Sequence, residues 1–340
     1  MEMQRGTGRE TGQDSQKMAA QKTSESHEAC LASFLEKLRA AGVADAGILS
    51  AFAAVPRHLF VDSWFEHSPA GWVLRPAEGE RSLAAIYSNR ALVLDVKDGL
   101  PVSSTSQPSL IGSVLRAFDV RPGMNILEIG CGVGYSTALL SRLVGSEGQV
   151  TAVDVDARLV ERAREVHRRL GFPTRFATGD GYNGFKEAAP FDRIVVYTGL
   201  ADVSPVWLQQ LGESGFVLAP IDHCVDTPYL RIRPDGTGAA VMWAGFIPAR
   251  GQLGWSKSRS SPWSGVRLPA VGTVPVLEET WQVDSRSFWF FLTFRERRLA
   301  RLLNYSLVGN SSYVSWDDTH VRAFGDAAEA RSLLAEVKAL

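Results

Sequence analysis

Cysteine is scarce in this chain. Cys30, Cys131 and Cys224 are the three in 340 residues, widely spaced and odd in number. No disulfide framework and no zinc-type spacing can be built from them, which suits a reducing compartment. The six histidines are scattered, without HxxxH or HExxH spacing, so no metal is expected. An excess of one charge is also missing. Thirty-six Lys and Arg against 37 Asp and Glu leave a net charge of -1, so no overall pull toward nucleic acid or an anionic membrane follows. No N/D-P-P-Y/F motif of amino-group methylation is present. No apolar run reaches the ~18 residues that a membrane-spanning helix needs. The opening "MEMQRGTGRETGQDSQKMAAQKTSESHE" lacks the apolar core of a signal peptide. Together these absences lead to an expected cytoplasmic location, with neither nucleic acid nor membrane as partner.

What is present reads as a folded globular protein, with 45% hydrophobic and 21% charged residues. Residues 1–27 are polar and read as a disordered tail. Residues 28–112 hold helical patterns, first "EACLASFLEKLRAA" and then "ADAGILSAFAAV", which stops at Pro56. An irregular stretch around "SPAGWVLRP" and a strand with a turn, "IYSNRALVLDVKDG", lead to "SSTSQPS". Five hydroxyls and a proline in seven residues predict a loop. The helix "SLIGSVLRAFDV" begins just after Pro108. Between about 113 and 250, short apolar strands alternate with helices: "NILEIG", "GQVTAVDVD", "TRFATGD", "FDRIVVYTG" and "FVLAPI". That alternation predicts an α/β fold, a doubly wound, mostly parallel sheet with helices on both faces. After Arg250 the texture changes to a small α+β extension, 251–340. There "SFWFFLTF" (Phe288, Trp289, Phe290, Phe291, Phe294) reads as core, "RERRLARLLN" as a short basic helix, Asp317 and Asp318 as a hairpin turn, and "AAEARSLLAEVKAL" as a closing helix.

The chemistry concentrates in "LEIGCGVGYS". Gly130, Gly132 and Gly134 lie between a strand and a helix, where glycine lets a ligand approach the backbone and the helix start offers N–H donors. Glu128 precedes the loop. Asp154 ends the next strand about twenty residues on, the usual place for an acid that binds ribose hydroxyls. The dinucleotide fingerprint G-x-G-x-x-G is not met, and the acids on both sides of the loop suit a cofactor with positive charge and no phosphates. S-adenosylmethionine fits that description and NAD does not. Asp180, in "GDGYNGF", ends the third strand within reach of an adenine amino group. Cys131, inside the loop, reads as a small packing residue.

These segments, with "VDVD", "APFDRIVV", "WLQQL" and "FVLAPI", occur in the order and spacing of protein-L-isoaspartate O-methyltransferases. "AFAAVPRHLFV" is similar to that family's lead-in segment, "SSTSQPS" to its T-I-S-Q-P loop, and "FIPAR" (Phe246–Arg250) to its late F-V-P-L segment. The resemblance spans roughly residues 45–250. It implies a class I, Rossmann-like methyltransferase fold with S-adenosylmethionine as cofactor and S-adenosylhomocysteine as product. Ser106 falls on the active-site serine. Ser104 and Thr105 border the cofactor, Asp154 with Val155 takes the ribose position, and Asp180 with Gly181 lies near adenine. Ser109 departs from the aromatic residue or histidine common after the Q-P, and Ala249 and Arg250 depart in the late loop. The added residues after 250 resemble the layout of aspartyl methyltransferases that accompany ribosomally made lanthipeptides.

The expected activity is therefore carboxyl O-methylation of an aspartyl-type side chain in a peptide or protein. A dedicated natural-product precursor, leading to aspartimide, is the first reading, and general isoaspartyl repair the alternative. A non-catalytic peptide-binding module with the same fold is the rival from another class.

Overall fold

The computed structural model of the chain describes residues 26–221, 227–254, 277–280, 299–301, 305–308, 312–316 and 319–339. The polar tail up to residue 25, the aromatic run at 288–294 and the Asp317–Asp318 turn lie outside them. The chain divides into two compact units. One runs to residue 195 and includes 210–215, and the other holds 196–209 and the residues from 216 onward.

The first unit opens with helix α1 (26–40) and helix α2 (Ala46–Ala54). Asp45 caps α2, its side chain accepting from the Ile48 N–H at 2.8 Å. Phe34, Leu38, Ile48 and Phe52 are buried, as the helical spacing of apolar residues requires. Pro56 ends the helix, and a 3₁₀ turn, Arg57–Phe60, follows. An antiparallel sheet comes next, in the order β2-β1-β3-β4. It comprises β1 (Ser63–Ser68), β2 (Gly71–Pro76), β3 (Leu92–Lys97) and β4 (Leu100–Thr105). Helix α3 (Gly79–Ile86) lies between β2 and β3 in the chain.

Two expectations are corrected here. The stretch around "SPAGWVLRP" is not irregular but the turn and returning strand of a hairpin. The hydroxyl run is not a free loop either. Asp98 and Gly99 both take positive φ, 53° and 77°, the D-G signature of a tight hairpin turn. That turn folds Ser103, Ser104 and Thr105 back onto β3, opposite Asp95, Val93 and Leu92. Composition misled because three of the five hydroxyl residues, Ser103, Thr105 and Ser109, are buried. Ser106 and Gln107 alone join β4 to helix α4 (Pro108–Phe118), which carries Pro108 in its first turn.

The α/β alternation is as the sequence predicts. Strands β5 (Asn125–Ile129), β6 (Gln149–Asp154), β7 (Arg175–Thr178) and β8 (Phe191–Val196) alternate with helices α5 (Tyr135–Val144) and α6 (Ala157–Leu170). Gly171 in the left-handed region stops α6. Helix α7 (Pro205–Gln209) and strands β9 (Leu211–Pro220), β10 (Pro228–Ile232) and β11 (Gly238–Trp243) follow. The sheet order is β11-β10-β9-β8-β5-β6-β7. β5, β6 and β7 run parallel, while β10 is antiparallel to both of its neighbours, β9 and β11. The chain moves outward from β5 to β7, then returns to β8 on the other side of β5. The carboxyl end of β5 is therefore the topological switch point.

In the second unit the late segment Phe246–Arg250 zips onto residues 198–199. Gly199 donates its N–H to the Ile247 carbonyl at 2.9 Å and accepts from Ala249 N–H at 2.7 Å. The C-terminal region forms an antiparallel sheet, β12 (Leu277–Thr280), β13 (Leu299–Arg301), β14 (Tyr305–Val308), β15 (Ser312–Trp316) and β16 (His320–Gly325), with helix α8 (Ala327–Ala339). Val314, Trp316, Val321, Leu333 and Val337 give it its own core. The closing helix and the β15–β16 hairpin are as expected. The segment expected as a basic helix is described only at Leu299–Arg301, which is extended and pairs with Tyr305–Leu307. A three-residue strand satisfied by its neighbour overrides the helical pattern of a short basic segment. Among the described residues no helix is long and apolar enough to cross a membrane.

Candidate active site

Three strand ends assemble the site. β5 ends at the glycine loop, β6 at Asp154 and β7 beside Asp180. Asp154 pairs with Thr178 in register, and its carbonyl accepts from Gly179 N–H at 3.0 Å, so the second and third loops leave the sheet together.

All three loop glycines have positive φ: 80° at Gly130, 53° at Gly132 and 84° at Gly134. The last two serve different ends. A Cβ on Gly134 would sit 2.9 Å from the Ala163 Cβ and 3.0 Å from His167 Nε2, so this glycine lets α6 pack against the loop. A Cβ on Gly132 would meet only the Ser104 carbonyl oxygen, at 3.9 Å. Gly132 thus faces open space with the end of β4 across from it. The end of the hydroxyl strand and the glycine loop, separate in sequence, thus face one another.

Asp154 is half-buried. Its Oδ2 accepts from Gly132 N–H at 2.9 Å and its Oδ1 from Asp156 N–H at 3.0 Å. It thereby holds the loop's open side while remaining partly accessible. Next to it Val155 is 42% exposed, an apolar side chain left uncovered at the strand end. Asp180 caps the short turn Gly181–Asn183, accepting from Tyr182 N–H at 3.0 Å.

Glu128, expected at the cofactor, is 0% exposed. One carboxylate oxygen accepts from Ser136 Oγ at 2.5 Å and the other from Thr137 Oγ1. Burial pushes its carboxyl up to about 7, against the pull of those two hydroxyls, and nearby Asp154 raises it further. Glu128 thus ties the strand to α5 from beneath the loop. Cys131 is buried with Ala152, Val160, Ala163 and Phe176, and burial pushes its thiol well above the usual range, consistent with packing.

Ser106 is half-buried at the β4–α4 junction. Among the described residues its hydroxyl makes no hydrogen bond, so the group is available to a ligand. Its neighbours are anchored. Ser109 N–H donates to Asn89 Oδ1 at 2.9 Å, and Gln107 Nε2 donates to Ser109 Oγ at 3.0 Å. Ser109, the departure after the Q-P, is buried and accepts from Gln107.

Three supporting residues escaped the sequence reading. Arg57, seen there only as part of "PRHLFV", is fully buried with its guanidinium among backbone carbonyls, including that of Ser106. Gln210 clamps the third loop, donating to Asn183 O at 2.9 Å and accepting from Phe185 N–H at 2.8 Å. His167 on α6 donates from Nε2 to the Gly134 carbonyl at 2.9 Å, and burial pulls its pKa down to about 4. Lone polar residues in helical or loop contexts carry no local signal for such roles. His58, near the lead-in segment, bonds the Tyr87 hydroxyl through Nδ1 at 2.9 Å, an ordinary satisfied histidine.

The residues fit a phosphate-free cationic cofactor. Asp154, Asp156 and Asp180 surround the strand ends, and no Lys or Arg lies in the glycine loop. The open side of Gly132 and the bare Val155 leave room and apolar surface. Strand order and loop together define a class I methyltransferase fold. The profile of the protein-L-isoaspartate(D-aspartate) O-methyltransferase family matches residues 30–243. The chain belongs to that family of S-adenosylmethionine-dependent carboxyl methyltransferases. A protein-L-isoaspartate O-methyltransferase of Thermotoga maritima is 30% identical over 306 residues, 88% of this chain and 89% of its own. One from Maricaulis maris is 32% identical over 214 residues, covering 62% of this chain and 89% of its own. A solved protein-L-isoaspartate O-methyltransferase aligns over 91% of this chain and 92% of its own, with a TM-score of 0.58 and 29% identity. A Plasmodium falciparum relative, solved with S-adenosyl-L-homocysteine, covers 63% and 95% with a TM-score of 0.50. At 18% identity it shows the shared fold.

Proposed function

We propose that this enzyme methylates the free α-carboxylate of isoaspartyl residues in peptides and proteins, with the hydroxyl strand and the glycine loop as the two halves of its active site. The observation that supports the reading is the Ser104 carbonyl facing the open side of Gly132, two residues before Ser106 in the chain. S-adenosylmethionine, when bound, supplies an electrophilic methyl group. Asp154 would hold the ribose hydroxyls, with Val155 beside it, and Asp180 with Gly181 would lie at the adenine and its amino group. Gly130, Gly132 and Gly134 let the backbone come close, Ser104 and Thr105 line the facing wall, and Glu128 braces the loop from below.

The nucleophile needs no general base, because a carboxylate with an unperturbed pKa near ~4 is already ionised at neutral pH. The protein's task is to align it and exclude water. Ser106 donates a hydrogen bond to the substrate carboxylate, a charged acceptor for which such a bond contributes about 1.5–3 kcal/mol. The resulting methyl ester is electrophilic at its carbonyl where the carboxylate is not, so the following backbone nitrogen can attack it, expel methanol and close a five-membered imide.

The residues after Arg250 first suggested a dedicated precursor peptide. The Thermotoga maritima relative aligns over nearly its whole length with 88% of this chain, so it shares most of that extension. The extension therefore no longer separates a precursor enzyme from a general one. Mass spectrometry of an isoaspartyl peptide and its aspartyl twin, each incubated with enzyme and cofactor, tests the proposal. A gain of about 14 Da, or a loss of about 18 Da after imide closure, is expected on the isoaspartyl peptide. Equal or stronger modification of the aspartyl twin would overturn the isoaspartyl preference.

A further inference from the structure

Arg57 lies in the turn that follows Pro56 and is 0% exposed. Its Nη1 donates to the Ile86 carbonyl at 2.8 Å and the Ser88 carbonyl at 3.0 Å. Its Nη2 donates to the Arg90 carbonyl at 3.0 Å and the Ser106 carbonyl at 3.3 Å. The guanidinium carbon sits 5.7 Å from the centre of the Tyr135 ring, and Tyr135 is the first residue of α5 beyond the glycine loop. Among the described residues no carboxylate pairs with Arg57. Burial pulls its pKa down to about 10, so it stays charged at neutral pH.

A buried cation without a counter-ion is costly, and a position that needed only bulk would be filled by an apolar side chain at lower cost. The planar fork does something bulk cannot: it joins four carbonyls from two separate segments. One segment, 86–90, contains Asn89, whose side chain accepts from Ser109 N–H at the start of α4. The other is Ser106 itself. Ser106 is therefore anchored on both sides through Arg57, directly at its own carbonyl and indirectly through Asn89 and Ser109.

We propose that Arg57 is a positioning residue for methyl transfer, holding the Ser106 peptide against Tyr135 at the base of the glycine loop. The inference rests on the reading of Ser106 as the group that aligns the substrate carboxylate. Displacement of an aligning group by roughly 1 Å can lower turnover by as much as a hundredfold. Arg57→Lys keeps the charge but loses the fork.

The test is a kinetic double-mutant cycle of Arg57→Lys and Ser106→Ala, with an isoaspartyl peptide as substrate and S-adenosylhomocysteine affinity measured by calorimetry. Arg57→Lys is expected to lower kcat about tenfold or more while cofactor affinity stays within about twofold. In the Ser106→Ala background the same change is expected to have almost no further effect, because a residue that acts through Ser106 has nothing left to position. Additive losses would overturn the proposal and leave Ser106 intact as a catalytic residue. Normal turnover in Ser106→Ala would instead remove the Ser106 reading and the proposal with it. If Arg57→Lys does not fold, Arg57→Gln, which buries no charge, takes its place in the cycle. Failure of both to fold would make Arg57 a fold-holding residue and overturn the proposal.

Discussion

Replacing His167 with glutamine should make the first unit less sensitive to acid. His167 sits in a directed chain of hydrogen bonds. Its Nε2–H donates to the Gly134 carbonyl, so Nδ1 must accept, and it does so from Thr174 Oγ1 at 2.8 Å, which in turn meets Ser141 Oγ at 2.8 Å. A proton on Nδ1 would turn that acceptor into a donor facing a donor and place a charge in the core. The pKa accordingly falls from 6.5 to about 4, with burial as the main cause. A depressed folded pKa means that the unfolded chain holds the proton more tightly. The stabilisation is present above pH 6.5 and is lost as pH falls toward 4. Between about pH 7 and about pH 4.5 the loss amounts to roughly 2 kcal/mol. Glu128 acts in the opposite sense, because its carboxyl is pushed up to about 7 and acid relieves it. It is the same in both proteins, so it cancels in the comparison. The assay is hydrogen exchange of α6 and β7 amides, wild type against His167→Gln at each pH. The protection advantage of wild type should shrink roughly thirtyfold across that range. An advantage that stays constant would refute the assigned pKa and the tautomer behind it.

Ser106→Ala should lower kcat on an isoaspartyl peptide by about ten- to a hundredfold, the kinetic equivalent of one charge-assisted hydrogen bond, while calorimetry finds S-adenosylhomocysteine affinity nearly unchanged. Asp154→Ala should raise the cofactor dissociation constant at least about tenfold, and an unchanged value would exclude a ribose role. Gly184 has φ of 60°, and a Cβ there would run into the Gln210 amide. Gly184→Ala should therefore destabilise the protein by about 2–4 kcal/mol, combining left-handed strain with overpacking, and a thermal melt indistinguishable from wild type would show that the clamp yields freely.

The sequence alone was enough for the α/β alternation from Asn125 to Pro220 and for the position of the glycine loop. Buried parallel strands write themselves as apolar runs, and a strand–helix turn around Gly130, Gly132 and Gly134 needs residues that only glycine supplies. Asp154 and Asp180 were legible for the same reason, since strand ends in such sheets converge on one edge. The hydroxyl run shows where composition stops. Ser103 to Thr105 looked like a loop because serine and threonine favour loops on average, yet the Asp98–Gly99 turn and pairing with β3 make them a strand. Arg57, Gln210 and His167 were illegible because their partners, the carbonyls of Ser106, Asn183 and Gly134, are backbone groups that any sequence possesses. Only the tertiary structure decides which carbonyl a buried donor meets. It was likewise the fold, not the motif, that brought the Ser104 carbonyl across from Gly132: local rules specify each segment, and contact between distant segments depends on how the whole chain packs.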